Sequence, residues 1–285
     1  MKRVLIAGCG YLGVATADLF HAAQWEVEGW TRSEQSAAEL SGKPYRVGAV
    51  DLADLDAVAR AGGDFELVIH CASSRGGGAE SYRRIYFEGA RNLIERLRPK
   101  RFLFTSSTSV YAQTNGEWVD ETSAAEPRHE TGKILRETEE FVRANGGAIA
   151  RLTGIYGPGR SALLRKFLAG EARLENGGAH YQNQAHRDDV AAALFVLASA
   201  PNDSGIVNVV DDQPLTQREC YAWLAAKLNR PLPPESVAPV ERKRGPSNKR
   251  VSNQKLRTLG WVPQFPNFRV GMQESILPSY PEIGA

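Results

Sequence analysis

The sequence predicts an α/β protein, a doubly wound parallel sheet followed by a smaller C-terminal lobe. Three observations carry this. Short β-branched and aromatic runs recur at residues 3–7, 27–30, 45–50, 65–70, 101–105 and 147–152. Helical patterns lie between them, most clearly at 80–98 and 131–145, and strands alternating with helices imply parallel strands joined by right-handed crossovers. After residue 153 the alternation breaks, which marks the second unit.

Arg3-Val4-Leu5-Ile6-Ala7 reads as a strand buried on both faces, because parallel strands are near-continuous apolar runs. A glycine loop follows at 8–13, and Ala15, Ala17, Leu19, Phe20 and Ala22 carry on as a helix. Val27–Trp30 is the second strand, closed by polar Thr31-Arg32-Ser33, and Tyr45–Val50 the third, closed by Asp51-Leu52. Phe65–His70, Arg101–Thr105 and Gly147–Leu152 are the fourth to sixth. Beyond them come a Gly-Pro turn at 154–159, a helix at 161–169 and a polar loop at 175–184. An apolar helix at 188–200, a strand at 205–210 and a helix at 217–228 follow. Pro231, Pro233, Pro234 and Pro239 then predict extended chain. The nucleotide-binding unit is expected at 1–152, with the helix near 186–200 returning to it. Residues 153–185 and 201–285 would build the lobe.

Composition narrows the function. The chain has 285 residues, and its 42% hydrophobic and 24% charged shares exclude collagen-like and disordered classes. Lys plus Arg is 35 against 33 Asp plus Glu, a net +2 that announces neither a nucleic-acid nor a membrane partner. Cys9, Cys71 and Cys220 are widely spaced and fit no disulfide framework or zinc pattern, which suits a reducing compartment. Met1-Lys2-Arg3 before Val4–Ala7 imitates a secretory leader, but the apolar run is shorter than the roughly 7–15 residues a leader needs. No apolar run of about 18 residues exists, so a cytoplasmic protein is expected.

Gly8-Cys9-Gly10-Tyr11-Leu12-Gly13 is a G-x-G-x-x-G loop that follows a strand and opens a helix. In that context the first glycine makes the tight turn, the second lets backbone approach a pyrophosphate, and the third lets helix pack on strand. The helix start offers unpaired N–H groups and a partial positive charge to the phosphates. An ordinary strand-turn-helix junction can carry the same glycines; the strand before and the helix after favour the dinucleotide. The second strand ends in Thr31-Arg32-Ser33, with no carboxylate for a ribose 2′-hydroxyl. Arg32 stands about 20 residues past the loop, where an arginine suits a 2′-phosphate, so NADP is favoured over NAD.

Several segments in order give the chain its resemblance to the extended and atypical short-chain dehydrogenase/reductases, the NAD-dependent epimerase/dehydratase group, which share the Rossmann fold. Asp51-Leu52 resembles the group's acidic pair at the adenine, and Val68-Ile69-His70-Cys71-Ala72-Ser73 the stretch lining the cofactor. Thr105–Tyr111 is similar to its S-S-x-x-V-Y segment, and Arg151–Arg160 to its R-x-x-x-x-Y-G-P-G-R run. Asn183–Val190 resembles its I-H-V-D-D-V helix start, and Asn248–Ser252 with Leu259-Gly260-Trp261 its tail. The resemblance implies Gly8, Gly10, Tyr11, Leu12, Gly13, Thr31, Arg32, Asp51, Leu52, Cys71, Ala72 and Ser73 as cofactor contacts. It also implies a small polar, nucleotide-sugar-like substrate, to which Arg242-Lys243-Arg244 and Lys249-Arg250 could supply basic grip. Dimerisation through two helices, as in that group, would use 80–98 and 131–145.

Two departures matter. Ala7 stands where typical members place the first glycine of G-x-x-G-x-x-G, and the group's Y-x-x-x-K pair is missing. One alignment puts His129 and Lys133 at the Tyr and Lys positions; another, anchored on Glu139, puts Thr131 and Leu135 there. The resemblance gives Ser107 the role of binding the substrate oxygen. On a helix, His129 and Lys133 would lie one turn apart on one face, and an imidazole titrates near neutrality, at about 6.5, so it suits proton transfer. The expectation is therefore an NADP-dependent reductase, epimerase or dehydratase with Ser107, His129 and Lys133 at the reacting centre. The rival is a catalytically silent dinucleotide-binding sensor or scaffold. A metal site at His180, His186, Asp188 and Asp189 fits no zinc spacing, and a serine hydrolase lacks its G-x-S-x-G elbow.

Overall fold

A computed structural model describes residues 2–74, 76–200, 205–236 and 247–280. Strands β1 (Arg3–Ala7), β2 (Glu26–Thr31), β3 (Arg46–Ala49), β4 (Leu67–His70), β5 (Arg101–Ser107), β6 (Ala148–Leu152) and β7 (Ile206–Val209) form one sheet. Its order is β7-β6-β5-β4-β1-β2-β3, and every pair is parallel. The order reverses between β1 and β4, the switch point where such sheets open a crevice beyond their C-terminal ends. Ala7 is level with Trp30 on one side and His70 on the other, so three strand ends meet there.

The sheet is doubly wound because alternate residues of each strand face opposite sides. Val4 and Ile6 of β1 join the core under α1 (Tyr11–Ala22) and α5 (Arg187–Ser199), with Phe20, Val190 and Leu194. Leu5 and Ala7 join the opposite core under α2 (Gly89–Leu97) and α3 (Glu130–Ala144), with Leu93, Ile134 and Leu135. A third core belongs to the lobe, where α4 (Ala162–Leu168) and α6 (Gln217–Lys227) pack Leu164, Phe167, Tyr221 and Leu224 around Phe268 and Met272.

Three expectations are corrected. The strand Ile206–Val209, assigned to the lobe, extends the main sheet beside β6, and Leu256 and Trp261 of the tail pack into the α1/α5 core. Its Val207 and Val209 are fully buried, which a sheet edge covered by the tail allows. The polar stretch 175–184 is no simple loop: Tyr181–Gln182 pairs antiparallel with Leu215–Thr216. The helix expected at 80–98 contains a π-turn at Arg83–Glu88. Nε2 of buried His70 lies 3.0 Å from the Ile85 carbonyl in that turn and captures it. Pro239 and Arg242-Lys243-Arg244 lie outside the described residues. Among the described residues no helix is long and apolar enough to cross a membrane.

Candidate functional site

The glycine loop is fixed to the sheet by its own amides. The N–H groups of Gly8 and Cys9 donate to the Trp30 carbonyl at 2.9 and 2.7 Å. Gly8 has φ +101, and a Cβ there would stand 2.2 Å from the Ala72 nitrogen. A Cβ at Gly13 would stand 2.3 Å from the Gly8 carbonyl oxygen, so this glycine permits the helix to pack on the turn. A Cβ at Gly10 would meet nothing within 4 Å. Gly10 is the N-cap of α1; no side chain caps the helix, and its first turn holds no acidic residue. The Gly10 N–H folds back to the Gly8 carbonyl at 2.8 Å, while the next amides, Tyr11 and Leu12, are first-turn donors without an intrahelical acceptor. An open face, free main-chain donors and the positive end of a helix suit a dinucleotide diphosphate. The residues present fit that group.

The rim carries the other expected cofactor residues. Thr31 Oγ1 donates to the Ser33 and Gly48 carbonyls, tying the end of β2 to β3. Arg32 next to it is exposed, with no hydrogen bond or ion pair among the described residues. Asp51 closes β3; it accepts the Ala53 N–H at 3.0 Å and meets Arg84 at 3.3 Å. Leu52 is buried and its carbonyl accepts from Asn92 at 2.9 Å. Cys71 and Ala72 are half-buried against Gly8, with the Cys71 N–H donating to Ala7 at 2.7 Å, and Ser73 is exposed. Burial pushes the Cys71 thiol far up and the Cys9 thiol up to about 12, which keeps both protonated at neutral pH.

Among the described residues, the expected catalytic residues share no hydrogen bond or ion pair. Ser107 ends β5, is half-buried, and its Oγ accepts the Ser109 N–H at 3.2 Å. Its neighbour Ser106 is buried and donates to Glu139 at 2.6 Å. Glu139 and Arg151 are both buried and form a two-pronged pair at 2.9 and 2.7 Å. That pair fixes the rotation of α3, which buries Leu135, Thr138 and Glu139. His129 is the N-cap of α3 and is exposed, and Lys133 is 60% exposed beside Glu130. Among the described residues, neither hydrogen-bonds Ser107. The register anchored on Glu139, with Thr131 and Leu135 in line, is the one whose Leu135 faces inward. Tyr111 and Tyr156 are buried; the Tyr111 hydroxyl donates to Asn208 at 3.0 Å, and burial raises both phenols.

The site-residue expectation leaves out a cluster at the mouth of the loop. Arg160 and Arg187 each place the guanidinium carbon 5.1 Å from the centre of the Tyr11 ring. Their signal was present in the Gly-Pro turn and in the start of α5, but only the fold sets them beside the glycine loop. Lys249 proves buried, donating to the Tyr111 carbonyl at 3.0 Å and to Ser247, and desolvation lowers its ammonium to about 8. Arg250 lies 5.1 Å from the Trp118 and Tyr181 rings, on a cavity of about 520 Å³ in the lobe.

The sequence model of the NAD dependent epimerase/dehydratase family matches residues 4–210. Protein YeeZ of Escherichia coli strain K12 is 31% identical over 94% of this chain and 97% of that protein. The UDP-glucose 4-epimerase of Thermus thermophilus, solved in complex with NAD, superposes with a TM-score of 0.79 at 21% identity, over 95% of this chain and 97% of that one. DesIV, a dTDP-glucose 4,6-dehydratase from Streptomyces venezuelae solved with NAD bound, reaches 0.83 at 21% identity, over 99% and 97%. At such identities these two structures attest the shared fold.

Proposed function

Because the chain belongs to the NAD-dependent epimerase/dehydratase family, we propose that it is an NADP-using reductase, epimerase or dehydratase acting on a small polar, nucleotide-sugar-like substrate. One observation carries the reading: the uncapped start of α1, with the face at Gly10 left open. A bound nicotinamide dinucleotide would supply hydride transfer. The main-chain donors of Tyr11 and Leu12 would hold its diphosphate, and Ala72 and Cys71 would wall its far side. Among the described residues Arg32 is unpaired, two residues past the Trp30 carbonyl that anchors the loop, which supports the phosphorylated coenzyme. Ser107 would hold the substrate oxygen, and His129 or Lys133 would move its proton. Helices 79–97 and 130–144 would pair two copies, a mass that sedimentation reads directly.

Titration with NADPH and NADH, then turnover with nucleotide sugars and simple carbonyl compounds, tests this. NADPH should bind more tightly, and a His129→Ala, Lys133→Ala double variant should lose about 100-fold or more in turnover, the scale of general acid–base catalysis. Unchanged turnover in that variant removes the assignment; no binding of either nucleotide at millimolar levels removes the proposal.

A second reading has its own support. Leu135 buried where the Glu139 register wants a lysine, with Lys133 60% exposed, favours a dinucleotide-binding sensor without chemistry. A thermal shift with dinucleotide, and no hydride transfer to any substrate, selects it.

A further inference from the structure

Three segments meet at the side chain of Tyr11, and two of them come from outside the glycine loop. The Gly157–Arg160 turn closes on itself, each end donating an N–H to the other's carbonyl at 2.9 Å. Tyr11 Oη donates to the Pro158 carbonyl at 3.1 Å. A Cβ at Gly157 would lie 2.5 Å from that hydroxyl and 3.0 Å from Cβ of Arg187. The glycine thus lets turn, loop and the first residue of α5 touch.

The charge there is unbalanced. Arg187 donates from Nε to Asp188 at 2.8 Å. Arg160 is exposed and, among the described residues, its guanidinium makes no hydrogen bond or ion pair; it lies over the Tyr11 ring. Two guanidiniums held against one ring repel each other, and a single carboxylate pairs with one of them. A guanidinium drawn to a ring by its charge still has planar N–H donors to offer, and these match phosphate oxygens in pairs. The ring belongs to the same residue whose amide, at the start of α1, has no intrahelical acceptor.

We propose that Arg160, supported by Arg187 on the Tyr11 ring, grips a nucleotide diphosphate from the lobe side, facing the main-chain donors of the glycine loop. The diphosphate is that of the dinucleotide, because the platform is a loop residue. Binding then ties the Gly157–Arg160 turn to the sheet domain. The inference rests on the dinucleotide reading above. It adds a contact that the sequence assigns to no cofactor role.

The test is an affinity series on the full chain, with NADPH and separately with uridine diphosphate, for the wild type, Arg160→Gln and Arg160→Lys. Arg160→Gln should weaken NADPH about tenfold at low salt, with a smaller loss at high salt as screening takes over. Arg160→Lys should fall between, since it keeps the charge and loses the fork. The melting temperature without ligand should stay put, because Arg160 is exposed. NADPH affinity unchanged in Arg160→Gln overturns the inference, as does a loss confined to uridine diphosphate, which would give the arginine to the substrate. Failure of the wild type to bind NADPH overturns the dinucleotide reading instead.

Discussion

Gly8, Gly10 and Gly13 hold their positions for different reasons, and substitution separates them. Alanine at Gly8 or Gly13 must displace backbone lying 2.2 and 2.3 Å away. Each should cost about 1–3 kcal/mol in urea unfolding, the usual price of overpacking, and abolish dinucleotide binding. Alanine at Gly10 meets no protein atom within 4 Å; stability should stay within about 0.5 kcal/mol while affinity falls, because the methyl would occupy the proposed phosphate approach. Two histidines set an acid limit. His70 and His186 are fully buried, and desolvation lowers each from 6.5 to about 4. His186 accepts the Asp188 N–H on Nδ1 and so donates from Nε2 to Ser275. The unfolded chain binds these protons more readily than the folded one, so stability present above pH 6.5 is lost as pH falls toward 4. Each contributes on the order of 3 kcal/mol, and urea midpoints measured across that window should drop accordingly. A His70→Phe variant should flatten the slope.

Helix α3 shows how an element decides which neighbour reaches a site. Its Glu139 takes the Ser106 hydroxyl and the Arg151 guanidinium inside the core, with Arg136 at the edge of the pair. That leaves Ser107, not Ser106, at the crevice end of β5. Breaking a buried pair from one side leaves an uncompensated charge, which typically costs about 3–5 kcal/mol. Glu139→Gln should therefore unfold at markedly lower urea, and should disturb Ser107 through the β5 end. Helix α6 offers a milder case. Thr216 and Glu219 form a reciprocal capping box, so Thr216→Ala should cost about 1 kcal/mol in the lobe without touching dinucleotide affinity. The π-turn at Arg83–Glu88 is not readable from its residues; within it the Ile85 carbonyl meets Nε2 of buried His70, a partner from another element.

At the scale of the molecule, the crevice joins sheet and lobe, so ligand and stability are linked. A dinucleotide that binds only the folded state should add about 2.7 kcal/mol at roughly 100 times its dissociation constant, seen as a melting temperature that climbs with NADPH concentration. The climb should be smaller with NADH if Arg32 selects the phosphorylated form. Local chemistry made the sheet legible: apolar strand runs, the glycine spacing at 8–13 and the turn residues after each strand need only near neighbours to act. The same locality makes Gly8, Gly10 and Gly13 legible as a strand-loop-helix turn, the basis on which they and Arg32 are proposed as a nucleotide site. The stretch expected to be catalytic is open in sequence because a helix can present either of two registers until something pins its rotation. The Glu139–Arg151 pair pins it, between residues on different elements. Likewise Arg160 and Arg187 are scattered polar residues until α5 lies along α1 and the Gly-Pro turn folds over Tyr11. The order of letters determined the sheet, its glycine loop and the buried strands, since their causes lie within a few residues. Which side chains face the crevice was decided by tertiary packing alone, because long-range burial and pairing set each helix's rotation and each turn's neighbour.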